Sequence, residues 1–267
     1  MRRAGPTCWP IPLAAAAALT GCTTGPSHTP TATRTLAPAV SPSLRHSALT
    51  PVKSGAVRVI GRSVEGRPIE SVRFGAPSAP TRILVFGVIH GDEAAGLPIV
   101  EALRSTATAM PGVELVLVPD LNPDGVAQHT RQNAHGVDLN RNFPYRWQGN
   151  GHRGDQQFPG TAALSEPEAA AAAQLITSLR PTVTIWFHQP VGVVDESGGS
   201  LAVERRFAQL IDEPLRRLPR YQGSAASWQN QQLPESSAFV VELPHRVTPA
   251  LQARLLVALR SLLQAKN

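Results

Sequence analysis

From about residue 56 onward the chain alternates short, strongly apolar runs with stretches of helical periodicity, and few architectures accommodate that pattern. Val57–Ile60 and Ile69–Phe74 read as strands around a turn at Glu65-Gly66, and Arg82–Ile89 reads as a buried strand. Val113–Val118, Thr182–Phe187 and Ala238–Leu243 are further apolar runs of strand length. Helical stretches from about Asp92 to Thr106, Ser200 to Arg217 and Thr248 to Gln264 lie between or after them. Ser165-Glu166-Pro167-Glu168 has the spacing of a capping box with an early proline, and predicts the start of an alanine-rich helix reaching about Leu179. Strands separated by helices predict a three-layer α/β/α sandwich with a mixed, largely parallel central sheet. In such sheets ligands collect outside the carboxyl ends of the strands.

Residues 23 to about 52 break the pattern, being rich in Thr, Pro, Ser and Ala with almost no apolar periodicity. Such a stretch buries too little surface to offset its ordering entropy and predicts a flexible tether. Before it, Arg2 and Arg3 precede Ile11–Leu19, an apolar run interrupted by Pro12 and too short to span a bilayer. It reads as a secretory h-region and ends in Leu19-Thr20-Gly21-Cys22, which resembles the bacterial lipobox. In lipoproteins of that kind the cysteine receives a diacylglycerol and becomes the new N-terminus. The expected organisation is therefore a signal peptide over 1–21, a lipidated Cys22 with a linker over 22–55, and one catalytic domain over 56–267. The expected location is the extracytoplasmic face of the cell membrane.

With Arg2 and Arg3 removed, 23 basic residues face 19 acidic ones, a net charge of +4. The basic residues are nearly all arginine and are scattered, without interleaved aromatics, which argues against a nucleic-acid surface. Cys8 and Cys22 are the only cysteines, so the mature chain has no disulfide and no thiol to serve as ligand or nucleophile.

The residues that carry chemistry fall at strand ends. His90-Gly91-Asp92-Glu93 follows the Arg82–Ile89 run directly. A histidine at a strand end and a glutamate at the next helix start can converge on one zinc ion, which favours nitrogen and oxygen donors and an open fourth position when catalytic. A third ligand should come from another strand end, and His188 terminates Thr182–Phe187. Asn122-Pro123-Asp124-Gly125 reads by itself as a turn. The segment Arg131 to Pro144 contains two arginines and an Asn-Arg pair, forked donors suited to a carboxylate and to an oxygen gaining charge.

Taken together, H-x-x-E, N-P-D-G, R-x-N-x-x-G-V-D-L-N-R-N-F-P, a late histidine and a final V-E-L-P resemble the zinc carboxypeptidase family over roughly residues 56 to 265. The resemblance implies one zinc per chain on His90, Glu93 and His188. It implies that Arg131 polarises the scissile carbonyl, that Asn140 and Arg141 grip a substrate carboxylate, and that Glu242 is the general base. Tyr221-Gln222-Gly223-Ser224-Ala225-Ala226-Ser227-Trp228 is similar to, but shorter than, the family's mobile-tyrosine segment, so Tyr221 is a candidate substrate contact. His129, His135 and His152 match no ligand position. The Gly61–Ile69 opening and His188-Gln189-Pro190 most resemble the bacterial murein peptide amidases, which cleave between γ-D-glutamyl and diaminopimelic acid. Two other functions fit parts of the pattern. A deacylase of the aspartoacylase and succinylglutamate desuccinylase type shares H-x-x-E and a D-x-N-R segment, and a non-catalytic lipoprotein could bind wall peptides with a relic site. The intact N-P-D-G and R-x-N segments and the presence of ligands and base favour a peptidase or amidase.

Overall fold

The computed structural model describes residues 55–264, so the expectations for the signal peptide, Cys22 and nearly all of the linker lie outside the described residues. Strands β1 (Ala56–Arg62) and β2 (Pro68–Gly75) form a hairpin, and β3 (Thr81–Phe86), β4 (Val113–Val118), β5 (Val183–His188) and β8 (Ser237–Pro244) are the apolar runs of the sequence. Two short strands, β6 (Val191–Asp195) and β7 (Leu215–Arg216), complete an eight-stranded sheet of order β1-β2-β4-β3-β5-β8-β6-β7. The centre, β4-β3-β5-β8, is parallel, while β2 and β6 join it antiparallel.

Alternation along the strands assigns the two faces. Ile83 and Val85 face one side with α1 (Gly96–Thr106), α4 (Leu201–Ile211) and α6 (Pro249–Gln264). Leu84 and Phe86 face the other with α3 (Pro167–Leu179) and α5 (Ala225–Gln232). The mixed three-layer sandwich expected from the sequence is what forms. On the second face Phe86 and Trp186 stack at 3.8 Å, both fully buried. That pair lies two residues before His188 on β5 and holds two neighbouring strands in fixed register just below their carboxyl ends.

Several local expectations change. β3 ends at Phe86, and residues 87–95 make the turns that carry His90 and Glu93 before α1 begins. The N-P-D-G turn is the start of a short helix, α2 (Pro123–Gln128), capped by Asn122, whose Oδ1 accepts the Gly125 N–H at 3.0 Å. The capping box at α3 does not form: Glu166 occupies the cap without a side-chain bond to the helix. Glu168 instead accepts bonds from the Val64 N–H and from Asn133, tying α3 to two distant loops. α4 stops at Ile211, since Asp212 adopts the left-handed conformation and the chain turns into β7.

Candidate metal centre and active site

Three segments meet at the carboxyl end of the parallel strands. The first is the β3–α1 turn, where Gly91 is pressed against α2: a Cβ there would come within 1.9 Å of the Gly125 carbonyl carbon. Only glycine permits that approach. Asn122 then locks the junction, donating from Nδ2 to the carbonyls of Ile89 at 3.1 Å and Arg131 at 3.4 Å. His90, Glu93 and Arg131 are thereby fixed relative to one another.

The second segment is the end of β5. His188 is buried, and its Nδ1 lies 2.9 Å from Glu93 Oε2, with His90 Nδ1 3.0 Å from the same oxygen. The ligand-capable atoms of His90, Glu93 and His188 all lie within 4.8 Å of one another. These residues fit a zinc ion. Two imidazole nitrogens and a carboxylate oxygen are the donor set such an ion takes, and His90 Nδ1 is buried with no hydrogen bond of acceptable geometry. Asp138, fully buried, holds the opposite ring nitrogen of His90 at 3.0 Å through Oδ1 and receives Arg131 Nε at 3.0 Å on Oδ2. A carboxylate behind a ligand histidine fixes the ring and raises its basicity.

The electrostatics agree. Burial pushes the Glu93 carboxyl up, but His188 and His90 outweigh it and hold the group well below the usual carboxylate range. Burial likewise opposes ionisation of Asp138, and His90, Arg131 and Arg141 reverse that effect. Desolvation pulls the His90 imidazole down, while Asp138 and Glu93 more than compensate and raise it.

The third segment is β8. Glu242 is the ladder partner of His188 in the parallel β5–β8 pair, so the two side chains emerge side by side on one face. Its Oε2 is buried without a partner, and burial raises its pKa from the ordinary value, with His188 and His90 opposing and Glu93 adding to the rise.

Across the pocket a single 3-10 turn (Leu139–Arg141) presents Asn140 and Arg141. Asn140 Oδ1 accepts the Ala225 N–H at 2.9 Å, which orients its amide NH₂ away from α5. Arg141 is buried, its Nε has no partner, and its guanidinium lies 4.1 Å from the Tyr221 ring centre. Arg131 donates from Nη1 to Glu93 Oε1 at 2.8 Å. Gly223, with φ +69°, lets the Tyr221 loop pass over the Arg141 carbonyl, which a Cβ would meet at 2.0 Å.

One pocket of about 230 Å³ is lined by His90, Glu93, Arg131, Asn140, Arg141, His188, Tyr221 and Glu242 together, every candidate named from the sequence except Cys22. His152 is almost fully exposed, and His135 pairs with Glu166 at 2.8 Å, so neither joins the cluster. Three residues were not singled out by sequence. Asp138 stood inside the polar segment as one letter of a motif, and its partnership with His90 is visible only in three dimensions. Gln189 ties the end of β5 to α1 and β8, its Oε1 accepting the Ala95 N–H at 3.0 Å and its Nε2 donating to the Pro244 carbonyl at 3.2 Å. Asp195 reaches the pocket from β6, a strand the sequence did not reveal.

Residues 53–203 match the family model described as zinc carboxypeptidase. The chain is 34% identical over 183 residues to murein peptide amidase A of Escherichia coli (strain K12), covering 63% of this chain and 74% of that one. It is 33% identical over 202 residues to murein peptide amidase A of Vibrio campbellii, with 69% and 77% covered. Its fold matches the crystal structure of murein-tripeptide amidase from Escherichia coli O157 with a TM-score of 0.66 at 28% identity, over 79% of this chain and 93% of that one.

Proposed function

The chain belongs to the zinc carboxypeptidase family and is a hydrolase, and from that premise we propose that it hydrolyses an amide bond next to a free carboxylate in cell-wall (murein) peptides. The bond proposed is the γ-D-glutamyl amide to diaminopimelate, in keeping with the similarity to murein peptide amidases. The observation that carries the chemistry is the buried, unpartnered Glu242 Oε2 beside the His90, Glu93 and His188 cluster.

His90, Glu93 and His188 would hold zinc, which when bound supplies Lewis-acid chemistry and eases deprotonation of water. Asn140 and Arg141 hold the carboxylate of the leaving residue through an amide NH₂ and a guanidinium with a free buried Nε. Glu242 takes a proton from the attacking water as the new C–O bond forms. Its raised pKa makes it a better base than an exposed carboxylate. The same proton passes to the amide nitrogen as the C–N bond breaks, giving a carboxylic acid and an amine, and transfer of the remaining proton between them leaves a carboxylate and an ammonium group. Arg131, fixed by Asp138 and Glu93, donates to the carbonyl oxygen as it gains charge. Tyr221, stacked on Arg141, covers the carboxylate grip.

The proposal extends to location: Leu19-Thr20-Gly21-Cys22 supports a lipid anchor that would hold the enzyme beside the wall. The test of function is mass spectrometry of defined muropeptides incubated with the protein, with and without chelator. Release of the diaminopimelate-bearing fragment only in metal-replete samples is expected. No cleavage of any murein peptide by the zinc-loaded protein would overturn the reading.

A further inference from the structure

Beside Arg131 and Arg141 the pocket contains a third guanidinium, which the mechanism above does not use. Val193 lies opposite Glu242 in the β6–β8 ladder, so Asp195, two residues on, faces the same side of the sheet as the proposed base. Asp195 is 4% exposed and its carboxylate is held from several directions. Its Oδ2 accepts from Ser197 Oγ at 2.7 Å, and its Oδ1 accepts from the Leu218 N–H at 2.8 Å. Ser197 Oγ in turn accepts the Val240 N–H at 3.1 Å, which seats the loop on β8. Arg220 Nη1 donates to both oxygens of Asp195, at 3.0 and 2.8 Å, and to the Leu218 carbonyl at 3.3 Å.

All of these bonds use one nitrogen of Arg220. Its Nη2 and Nε have no hydrogen bond among the described residues, although the side chain is only 31% exposed and lines the pocket with Asp195 and Glu242. A guanidinium anchored at Nη1 and open along its Nη2–Nε edge is arranged to receive a carboxylate with two parallel bonds. Tyr221, next in sequence, stacks on Arg141, so the segment bearing Arg220 is itself seated against the first carboxylate grip. The neighbouring lining residues Ser224, Ala226 and Ser227 are small, which leaves the space between the two arginines to substrate.

We propose that Arg220, held by Asp195, binds a second carboxylate at the side-chain end of the leaving residue, making the enzyme selective for a dicarboxylic amino acid there. This rests on the proposed hydrolysis of murein peptides. Arg220 touches substrate, while Asp195 is a positioning residue.

The test compares two peptides that differ only in this group: γ-D-glutamyl-diaminopimelate and γ-D-glutamyl-lysine versions of the same tripeptide. The zinc-loaded enzyme should prefer the first by about 10- to 100-fold in kcat/KM, the usual scale for a charge-assisted pair. In Arg220→Gln the preference should collapse, mainly through a higher KM for the diaminopimelate peptide. Arg220→Lys, which restores charge without the fork, should recover part of it, and Asp195→Asn should lose part of it. A wild type without the preference, or an Arg220→Gln variant that keeps it, would overturn the proposal. Calorimetric binding of both peptides to the Glu242→Gln protein separates this inference from the hydrolytic reading. Tighter, Arg220-dependent binding of the diaminopimelate peptide without any turnover in wild type would leave the second grip standing and remove the hydrolytic reading. Equal turnover of both peptides would do the reverse.

Discussion

Glu242 and His188 emerge from adjacent positions of parallel strands, yet the proposed mechanism gives them different tasks, and substitution should separate them. Glu242→Gln keeps the shape of the side chain and removes its ability to take a proton near neutral pH. Zinc content should stay at one per chain while kcat falls by roughly two to four powers of ten, the scale of general acid–base help. A variant that loses its metal would show that Glu242 had been mistaken for a ligand, and one with wild-type kcat would remove it from the mechanism. Asp138 invites a different experiment, because it carries the His90 ring, the Arg131 guanidinium and the Asn140 N–H on two oxygens. Asp138→Asn should weaken zinc affinity by about 10- to 100-fold, as removal of a partner behind a ligand usually does, measured by competition with a fluorescent chelator. Unchanged affinity would reduce Asp138 to a packing role. Legibility at this scale follows distance along the chain. His90 and Glu93 share a four-residue motif and His188 ends an apolar run, so local pattern marks them in one dimension, whereas Glu242 stood inside the last run and was marked only by the family resemblance of Val241-Glu242-Leu243-Pro244. The pairings of Asp138 with His90 and of Asp195 with Arg220 span 48 and 25 residues, where no local spacing can announce them.

At the scale of elements, hydrophobic pattern was a good guide wherever burial was complete. β4 runs over Val113–Val118 as read, and β3, β5, β8 and the helices α3 and α6 differ from their apolar runs only at the ends. The pattern failed where an element owes its shape to neighbours. β6 is five residues beginning exposed, β7 is two, and α5 (Ala225–Gln232) buries Trp228 within a mostly polar sequence. The turn from Ile89 to Ala95 was folded into a strand and a helix because its apolar residues continue both patterns; Gly91 and its contact with α2 break them. α4 offers a pH test of such hidden context. Glu204, near its start, is 1% exposed, and burial pushes its carboxyl up to about 7, with Asp195 adding to the rise and Arg220 and the Gly199 N–H opposing it. An acid whose folded pKa lies above its unfolded value keeps its proton longer in the native state. Its contribution is therefore fully present below about pH 4.5, declines as the pH rises through about 7, and is flat above that. Glu204→Gln mimics the protonated form, so the Tm of the variant relative to wild type should rise between pH 5 and pH 8. A difference that is constant across that range would show that Glu204 titrates normally.

For the molecule as a whole, the eight strands of the sheet and the pocket residues named above lie within the described residues 55–264, and no helix there is long and apolar enough to cross a membrane. The proposed anchor at Cys22 makes retention a matter of acyl chains. One chain holds a protein to a bilayer only marginally, whereas two chains on one cysteine meet the minimum for stable attachment. Between Cys22 and Ala56 lie 33 residues rich in Thr, Pro, Ser and Ala, enough chain to separate the pocket from the membrane surface. Cys22→Ala should move the protein from the membrane fraction to the soluble or precursor pool. The same variant, purified, should hydrolyse small muropeptides in solution with the wild-type kcat/KM, because the pocket residues named above all lie between His90 and Glu242, far along the chain from Cys22. Its activity on intact sacculi supplied with membranes should fall, since attachment raises the local concentration of enzyme near its substrate. Unchanged fractionation of Cys22→Ala would remove the lipid anchor from the account. Lost activity on small soluble peptides would show that the N-terminal segment takes part in the site itself.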